Sequence, residues 1–318
     1  TQTPASAMLR SLVGSEMCIR DRRLLANILL LLTAAIWGFG FVAQVLGMNY
    51  MGPFAFIGVR FLLGAFSLLP IVWFFWRRGY IKEFSTRSLF AASNLDGAVL
   101  FLAGAFQQVG IVYSNASNAA FITGLYMVLV PIFGSALGRR TSFNAWLGSG
   151  VATFGLYLLS VDESLTIGLG DALLLIGAVC WALHILVIDY FTKKLPALLI
   201  ALGQFVVCGL LGLTVSVGFE TTSWGDVMDA KYILVYAGII TVGVAYTLQV
   251  VAQEKAHPTH AAIILSLEAV FGAIGGYAFL NEILSSREFF GCCLMLLGML
   301  CSQVSFKDLR QSFSSKHP

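Results

Sequence analysis

Polar punctuation divides this chain into ten long apolar runs. The first five extend from Leu24 to Gln44, Pro53 to Trp76, Ser88 to Val112, Ser117 to Leu137 and Phe143 to Val161. The second five extend from Leu169 to Phe191, Pro196 to Phe219, Tyr232 to Gln253, Thr259 to Leu280 and Phe289 to Phe306. Most are near the ~20 residues that a helix needs to cross a bilayer. They are too long and too evenly apolar for the alternation of barrel strands. The pattern predicts an all-α membrane protein of ten transmembrane helices.

Basic residues then set the sidedness. With the N-terminus inside, the inner segments hold Arg22, Arg23, Arg77, Arg78, Lys82, Arg87, Arg139, Arg140, Lys193, Lys194, Lys255, Lys307, Arg310 and Lys316, and the outer loops only Lys231 and Arg287. Basic residues stay cytoplasmic, so both termini are expected inside. Composition agrees: of 318 residues 58% are hydrophobic and 11% charged, with a mean hydropathy of +0.86. A soluble domain has roughly 45–50% and about 25%, so no sizeable soluble catalytic domain fits. The net charge of +3 is too small to suggest nucleic acid. Cys180, Cys208, Cys292, Cys293 and Cys301 lie in apolar runs without zinc-site spacing, and such thiols usually act as small packing residues. Residues 1–22 (TQTPASAMLRSLVGSEMCIRDR) have no long apolar run. The string LVGSEMCIRDR reads like translated sequencing adapter, or else as a cytoplasmic tail. The segment is set aside as a disordered or artefactual tail, with a native start near Arg22 or Arg23.

The chain repeats itself. A shift of 142 residues lays Gln107 on Gln249, Val109 on Val251, Ala119 and Ala120 on Ala261 and Ala262, and Ile122 on Ile264. It also lays Leu125 on Leu267, Val128 on Val270, Ile132 on Ile274, Gly134 on Gly276 and Ala136 on Ala278. Shifts of 143 or 144 lay Trp37 on Trp181, Pro53 on Pro196, Gly148 on Gly291 and Gly155 on Gly298. The halves are residues 23–161 and 162–306, followed by a cytoplasmic tail, 307–318. Five helices per half is an odd number, so the second half is expected to enter the membrane inverted. Inverted repeats offer two packings, open inward and open outward, around a midplane site. That architecture points to a transporter.

Three stretches, AAIWGFGFV in the first run, LVPIFGSALGRR in the fourth and SLEAVFGAIGGYAFLNE in the ninth, resemble the EamA-like branch of the drug/metabolite transporter superfamily. The likeness spans about residues 23–306. Ala269 departs from it, standing where the family often has proline, so a proline kink is not carried over. The resemblance implies two five-helix repeats, a central cavity lined by helices one to four and six to nine, and helices five and ten at the periphery. It implies export of amino acids, metabolites or drugs and no soluble cofactor. The bacterial inner membrane is the expected location, with proton coupling and a homodimer through helices five and ten as further expectations.

An ionisable group at depth costs at least about 2.5–3.5 kcal/mol, so it should face a cavity or a partner. Arg60, about eight residues into the second helix, suits a carboxylate or phosphate bidentately, or a structural ion pair with Asp96 or Glu268. Glu268 is in mid-span on a stripe with His260, Ile264 and Phe271, matched in the fourth helix by Asn118, Ile122, Tyr126 and Leu129. The repeat opposes Tyr126 to Glu268, which suits a proton or a substrate ammonium, or else packs against Arg60. His184 titrates near neutral pH when unperturbed, or serves as a neutral helix contact. Asp189, near Lys193, is expected to be mostly solvated. The repeat mates Gln107 and Gln249 can bind a polar solute or join helices, and Trp37 and Trp181 can wall a cavity or face lipid. The candidates for substrate binding or coupling are thus Arg60, Glu268, Tyr126, Gln107, Gln249, His184, Trp37, Trp181, Asp96 and Asn118, with no metal site. Uptake or exchange of a similar solute remains open. An intramembrane enzyme lacks a nucleophile–base or metal cluster in this sequence, and a channel lacks a filter-like loop.

Overall fold

The computed structural model describes residues 4–81, 83–114, 116–139, 141–160, 168–280 and 285–303, with most side chains from Leu24 onward. The described residues are helical, without a strand. The first half comprises α1 (Pro4–Gly47), α2 (Pro53–Arg77), α3 (Thr86–Val112), α4 (Ala116–Gly124), α5 (Tyr126–Ala136) and α6 (Phe143–Ser160). The second comprises α7 (Leu169–Thr192), α8 (Ala197–Phe219), α9 (Trp224–Asp229) and α10 (Lys231–Val235), the last continuing through a π-helical segment (Tyr236–Tyr246) into α11 (Thr247–Gln253). The chain then forms α12 (Pro258–Leu265), α13 (Glu268–Leu280) and α14 (Ser286–Gln303). Residues 4–22, set aside above as a tail, form a helical extension of α1, whose side chains lie outside the described residues.

Helix ends follow local chemistry. Pro53 and Pro258 each open a helix at its first turn, where the missing N–H costs nothing. The Ser85 hydroxyl caps α3 by accepting from the Ser88 amide at 3.3 Å. Gly79 and Gly138 adopt φ values of 69° and 77° just past α2 and α5, the left-handed conformation that ends a helix and that glycine adopts without a Cβ clash.

Among the described residues, seven helices are long and apolar enough to cross a membrane: Leu24–Gly47, Pro53–Arg77, Thr86–Val112, Leu169–Thr192, Ala197–Phe219, Lys231–Gln253 and Pro258–Phe279. Their outer faces carry bare apolar groups such as Phe66, Trp73, Phe90 and Val217, as a lipid-facing surface requires.

Packing obeys the repeat. α1 lies against α13, and the equivalent α7 lies against α4 and α5. α3 packs on α7 and α8, and the segment from Tyr236 to Gln253 packs on α1, with its π-helical part also on α2. Two pairs of repeat mates meet directly, α2 with α8 and α6 with α14. In the α6–α14 contact, a Cβ added to Gly155 would lie 2.6 Å from the Gly291 carbonyl, and one on Gly298 would lie 2.6 Å from the Gly148 carbonyl. Gly148 and Gly291 are mates, as are Gly155 and Gly298, so the contact is its own image under exchange of the halves. Gly58 of α2 similarly meets Gly212 of α8, while Leu62 meets Gly209. In both contacts residue numbers rise in opposite directions. Mates that pair antiparallel are what halves related by a twofold axis perpendicular to the helices would give.

Candidate functional site

Both halves break a helix at one repeat position. The fourth apolar run separates at Leu125 and the ninth at Ser266–Leu267, and Leu125 and Leu267 are mates. In the ninth run the break occurs without proline, since Ala269 stands beside it. In the fourth, Pro131 cannot donate to the Met127 carbonyl four residues back. The Ser149 hydroxyl of α6 donates to that carbonyl instead, at 3.1 Å. The breaks leave Tyr126 and Glu268 as the first residues of α5 and α13. Discontinuous helices of this kind form midplane sites in carriers, because their freed ends and first side chains face a cavity.

That cavity is lined by Trp37, Phe41 and Gln44 of α1, Arg60 of α2, Gln107 of α3, Thr123 and Tyr126 at the first break, and Glu268 at the second. Trp181 and Ile185 of α7, Thr241 and Tyr246 of the π-helical segment, and Gln249 of α11 complete it. It has about 30 Å³ open to the centres of water molecules. That is room for about two waters.

Polar contacts tie the walls together. Tyr126 Oη donates to Glu268 Oε1 at 3.0 Å, joining the two breaks. Trp181 Nε1 donates to Gln107 Oε1 at 2.7 Å, and Gln107 Nε2 donates to Gln44 Oε1 at 3.0 Å. Trp37 Nε1 donates to the Thr241 carbonyl at 3.1 Å, and the Thr33 hydroxyl reaches the Ala245 carbonyl at 3.2 Å. The widened π-helical turn thus uses α1 as a second hydrogen-bond partner, in keeping with the frequent siting of π-helical turns at functional positions. The indoles of Trp37 and Trp181 lie 6.4 Å apart, and both contact the Tyr246 ring, at 4.5 and 6.1 Å.

Among the described residues, Arg60 and Glu268 are the only Arg, Lys, Asp or Glu side chains lining this cavity. Among the described residues Arg60 makes no ion pair, so the partners expected for it, Asp96 and Glu268, are not its partners here. Its guanidinium lies 5.2 Å from the centres of the Phe56 and Phe61 rings, with a buried Nε lacking a hydrogen bond. Asp96 instead approaches His184, with Oδ1 3.6 Å from Nε2.

Seven candidates therefore converge on the cavity: Arg60, Glu268, Tyr126, Gln107, Gln249, Trp37 and Trp181. Asp96 and His184 are fully buried behind it, and the Asn118 side chain lies outside the described residues. Asp189 corrects the solvated placement expected of it. It is fully buried and binds Arg139 as well as Lys193, the latter at 2.9 Å, because the chain after α5 folds over the end of α7. Gln44, Thr123, Thr241, Tyr246 and Gln204 were not signalled. Tyr246 falls on Gly104 under the 142-residue shift, so repeat matching passes over it. Gln44 sits at the very end of the first apolar run, where it resembles a boundary residue. Among the described residues no group of three or more His, Cys, Asp or Glu is placed to hold a metal ion.

The profile of the EamA-like transporter family matches residues 24–161 and again 168–303. The chain belongs to this family. An "Uncharacterized transporter" of Archaeoglobus fulgidus is 33% identical, covering 88% of this chain and 86% of its own. A "Probable amino-acid metabolite efflux pump" of Escherichia coli is 25% identical over 86% of this chain and 93% of its own. The "Threonine/homoserine exporter RhtA" of Salmonella typhimurium is 24% identical over 79% and 82% respectively. A crystal structure of a protein 16% identical in sequence superposes with a TM-score of 0.72, covering 87% of this chain and 96% of that one. At that identity the likeness shows the fold. This EamA-like chain is thus a multi-pass membrane protein of a transporter family.

Proposed function

We infer that this EamA-like protein exports a small amino acid across a bacterial inner membrane by alternating access. In this reading all ten apolar runs cross the bilayer and both termini are cytoplasmic, as the basic residues favour. The observation that carries the substrate class is the pairing of one cation and one carboxylate on a shared, otherwise neutral cavity, without an ion pair between them. Arg60 suits an α-carboxylate through its planar fork, Glu268 suits an α-ammonium, and the Trp37, Trp181 and Tyr246 rings leave room for a short side chain once the halves part. The exporter names of two relatives agree with this class and favour the outward direction.

Counterflow of radiolabelled threonine in proteoliposomes of the purified protein tests the reading. Saturable counterflow competed by homoserine, and not by a simple carboxylate or amine, is expected. Linear flux without saturation would replace the carrier by a channel. Raised expression in cells should lower internal threonine and raise tolerance to toxic analogues; the opposite result would make the protein an importer.

A further inference from the structure

We propose that Asp96, His184 and Gln204 form a single proton-binding site, set behind the substrate cavity, through which export is coupled to proton entry. This rests on the transport reading above. Asp96 comes from α3 in the first half, and His184 and Gln204 come from α7 and α8 in the second. All three are fully buried. His184 Nε2 lies 2.9 Å from Gln204 Oε1 and 3.6 Å from Asp96 Oδ1. Both Asp96 oxygens, His184 Nδ1 and Gln204 Nε2 lack a hydrogen-bond partner.

A bare carboxylate there would hold about four acceptor sites unfilled in a dry interior, a costly arrangement. One proton removes that cost. On Asp96 it gives a neutral acid beside a neutral imidazole; on His184 it gives an imidazolium beside a carboxylate. Either way the closed cluster retains one proton, and release requires water to reach it. The helices that exclude water are closely packed: a Cβ on Gly97 of α3 would lie 2.6 Å from the Val207 Cβ of α8. Because the cluster joins the two halves, their relative motion both admits water and separates the acid from the base.

The cluster also touches the cavity wall. The His184 ring meets Trp181 edge-on at 5.6 Å and Tyr246 at 6.4 Å. The ionisable groups on the elements packed around it include Arg60 of α2, Tyr126 of α5, Cys180 and Asp189 of α7, Cys208 of α8, Tyr246 and, on α12, His260, with Arg77, Arg87, Asp171 and Tyr190 elsewhere on α2, α3 and α7; of these, Tyr246 has a ring contact to His184. Asp189 is already bound by Arg139 and Lys193. Repeat matching sets the stoichiometry. Asp96 falls on Gly238 with the 142-residue shift, and His184 falls on Gly40 with the 144-residue shift of its neighbour Trp181. No second copy of the cluster is encoded, so one proton per cycle is expected.

The test uses full-length protein in proteoliposomes, radiolabelled threonine, and a membrane potential clamped at zero. With the interior one pH unit more acidic, one-for-one exchange drives about tenfold accumulation of a neutral solute. Wild type should reach that level. Asp96→Asn and His184→Gln should abolish it while keeping counterflow without a gradient, and Asp96→Glu should restore it. Accumulation by both variants at the wild-type level would overturn the proposal, as would equal loss of driven transport and counterflow in well-folded variants. If wild type shows no threonine counterflow, the substrate assignment fails and a substrate-free readout decides. The tryptophan fluorescence of the detergent-solubilised protein should then titrate with pH in wild type and lose that titration in His184→Gln. An unchanged titration in that variant would overturn the proton site.

Discussion

The two broken helices, Ala116–Ala136 and Pro258–Leu280, share a backbone plan and differ in chemistry. Each breaks at the same repeat position, and each places one polar side chain at the start of its second segment. The first half supplies Tyr126 there and the second supplies Glu268, joined by a 3.0 Å hydrogen bond. The first break is accompanied by Pro131, whose vacated carbonyl is claimed by Ser149. The second forms beside Ala269 and has no such proline. The difference shows that the repeat conserves a place for a polar group while the residue in it is free to change. A zwitterion presents opposite charges at its two ends, and a strictly symmetric cavity could not orient it. Under the proposed function, Arg60 in one half and Glu268 in the other would give the site a direction.

The largest expected effect comes from removing that direction. Glu268→Gln should weaken threonine binding by about tenfold or more, because a charge-assisted hydrogen bond contributes roughly 1.5–3 kcal/mol. Competition counterflow measures it. A comparable affinity in Glu268→Gln would make the two breaks chemically equivalent and remove the basis for orientation.

Next is the proline-linked repair in the first break. Ser149→Ala leaves the Met127 carbonyl unmet and should cost roughly 1–3 kcal/mol, read as a lowered thermal midpoint in detergent. Pro131→Ala returns an N–H to that carbonyl. The double substitution Pro131→Ala with Ser149→Ala should therefore lose less stability than Ser149→Ala alone. Simple additivity would show that the hydroxyl does not replace the missing backbone bond.

Tyr126→Phe should act more weakly, about 0.5–1.5 kcal/mol for one neutral hydrogen bond. It keeps the ring that packs the first break and removes only its link to the second. A loss as large as that of Glu268→Gln would mean that Tyr126 itself touches the solute.

The smallest effect lies outside both breaks, at the start of α9. Ser223 donates to Asp226 from its amide at 2.7 Å and its hydroxyl at 2.8 Å, and these bonds hold the Asp226 carboxyl below the usual aspartate range. A carboxylate with a lowered folded pKa supports the fold above its unfolded value of about 3.9. That support disappears as pH falls through the lower folded value. Amide exchange in α9 should thus quicken only in acid, with both breaks unaffected; protection that already falls near neutral pH would contradict the cap.

Much of the architecture was legible in the chain. Apolar runs mark helices because the hydrocarbon interior demands both apolar side chains and internally paired backbone groups. Ten identities at one spacing exposed the repeat and aligned Tyr126 with Glu268, and the two do meet. Matching also paired Gly148 with Gly291 and Gly155 with Gly298, which the fold brings into one self-complementary contact. The cavity was legible where its residues come as mates. It was hidden where one half stands alone, as at Tyr246, whose mate is Gly104, and at Gln44, which closes a run.

Sequence by itself therefore determined the membrane class, the helical segments and the repeat, since each is a property of residue type and order along the chain. Only the tertiary structure decided which buried charge meets which. Arg60, Asp96, His184, Asp189 and Glu268 occupy four helices, α2, α3, α7 and α13, and spacing along one helix says nothing about distance to another. Packing sent Asp96 to His184, Asp189 to Arg139, and Glu268 to Tyr126, and it left Arg60 facing the cavity without an ion pair. The physical reason is that partners are fixed by how the small-residue faces of α2, α3, α6, α8 and α14 let helices approach, a condition set jointly by residues far apart in the chain.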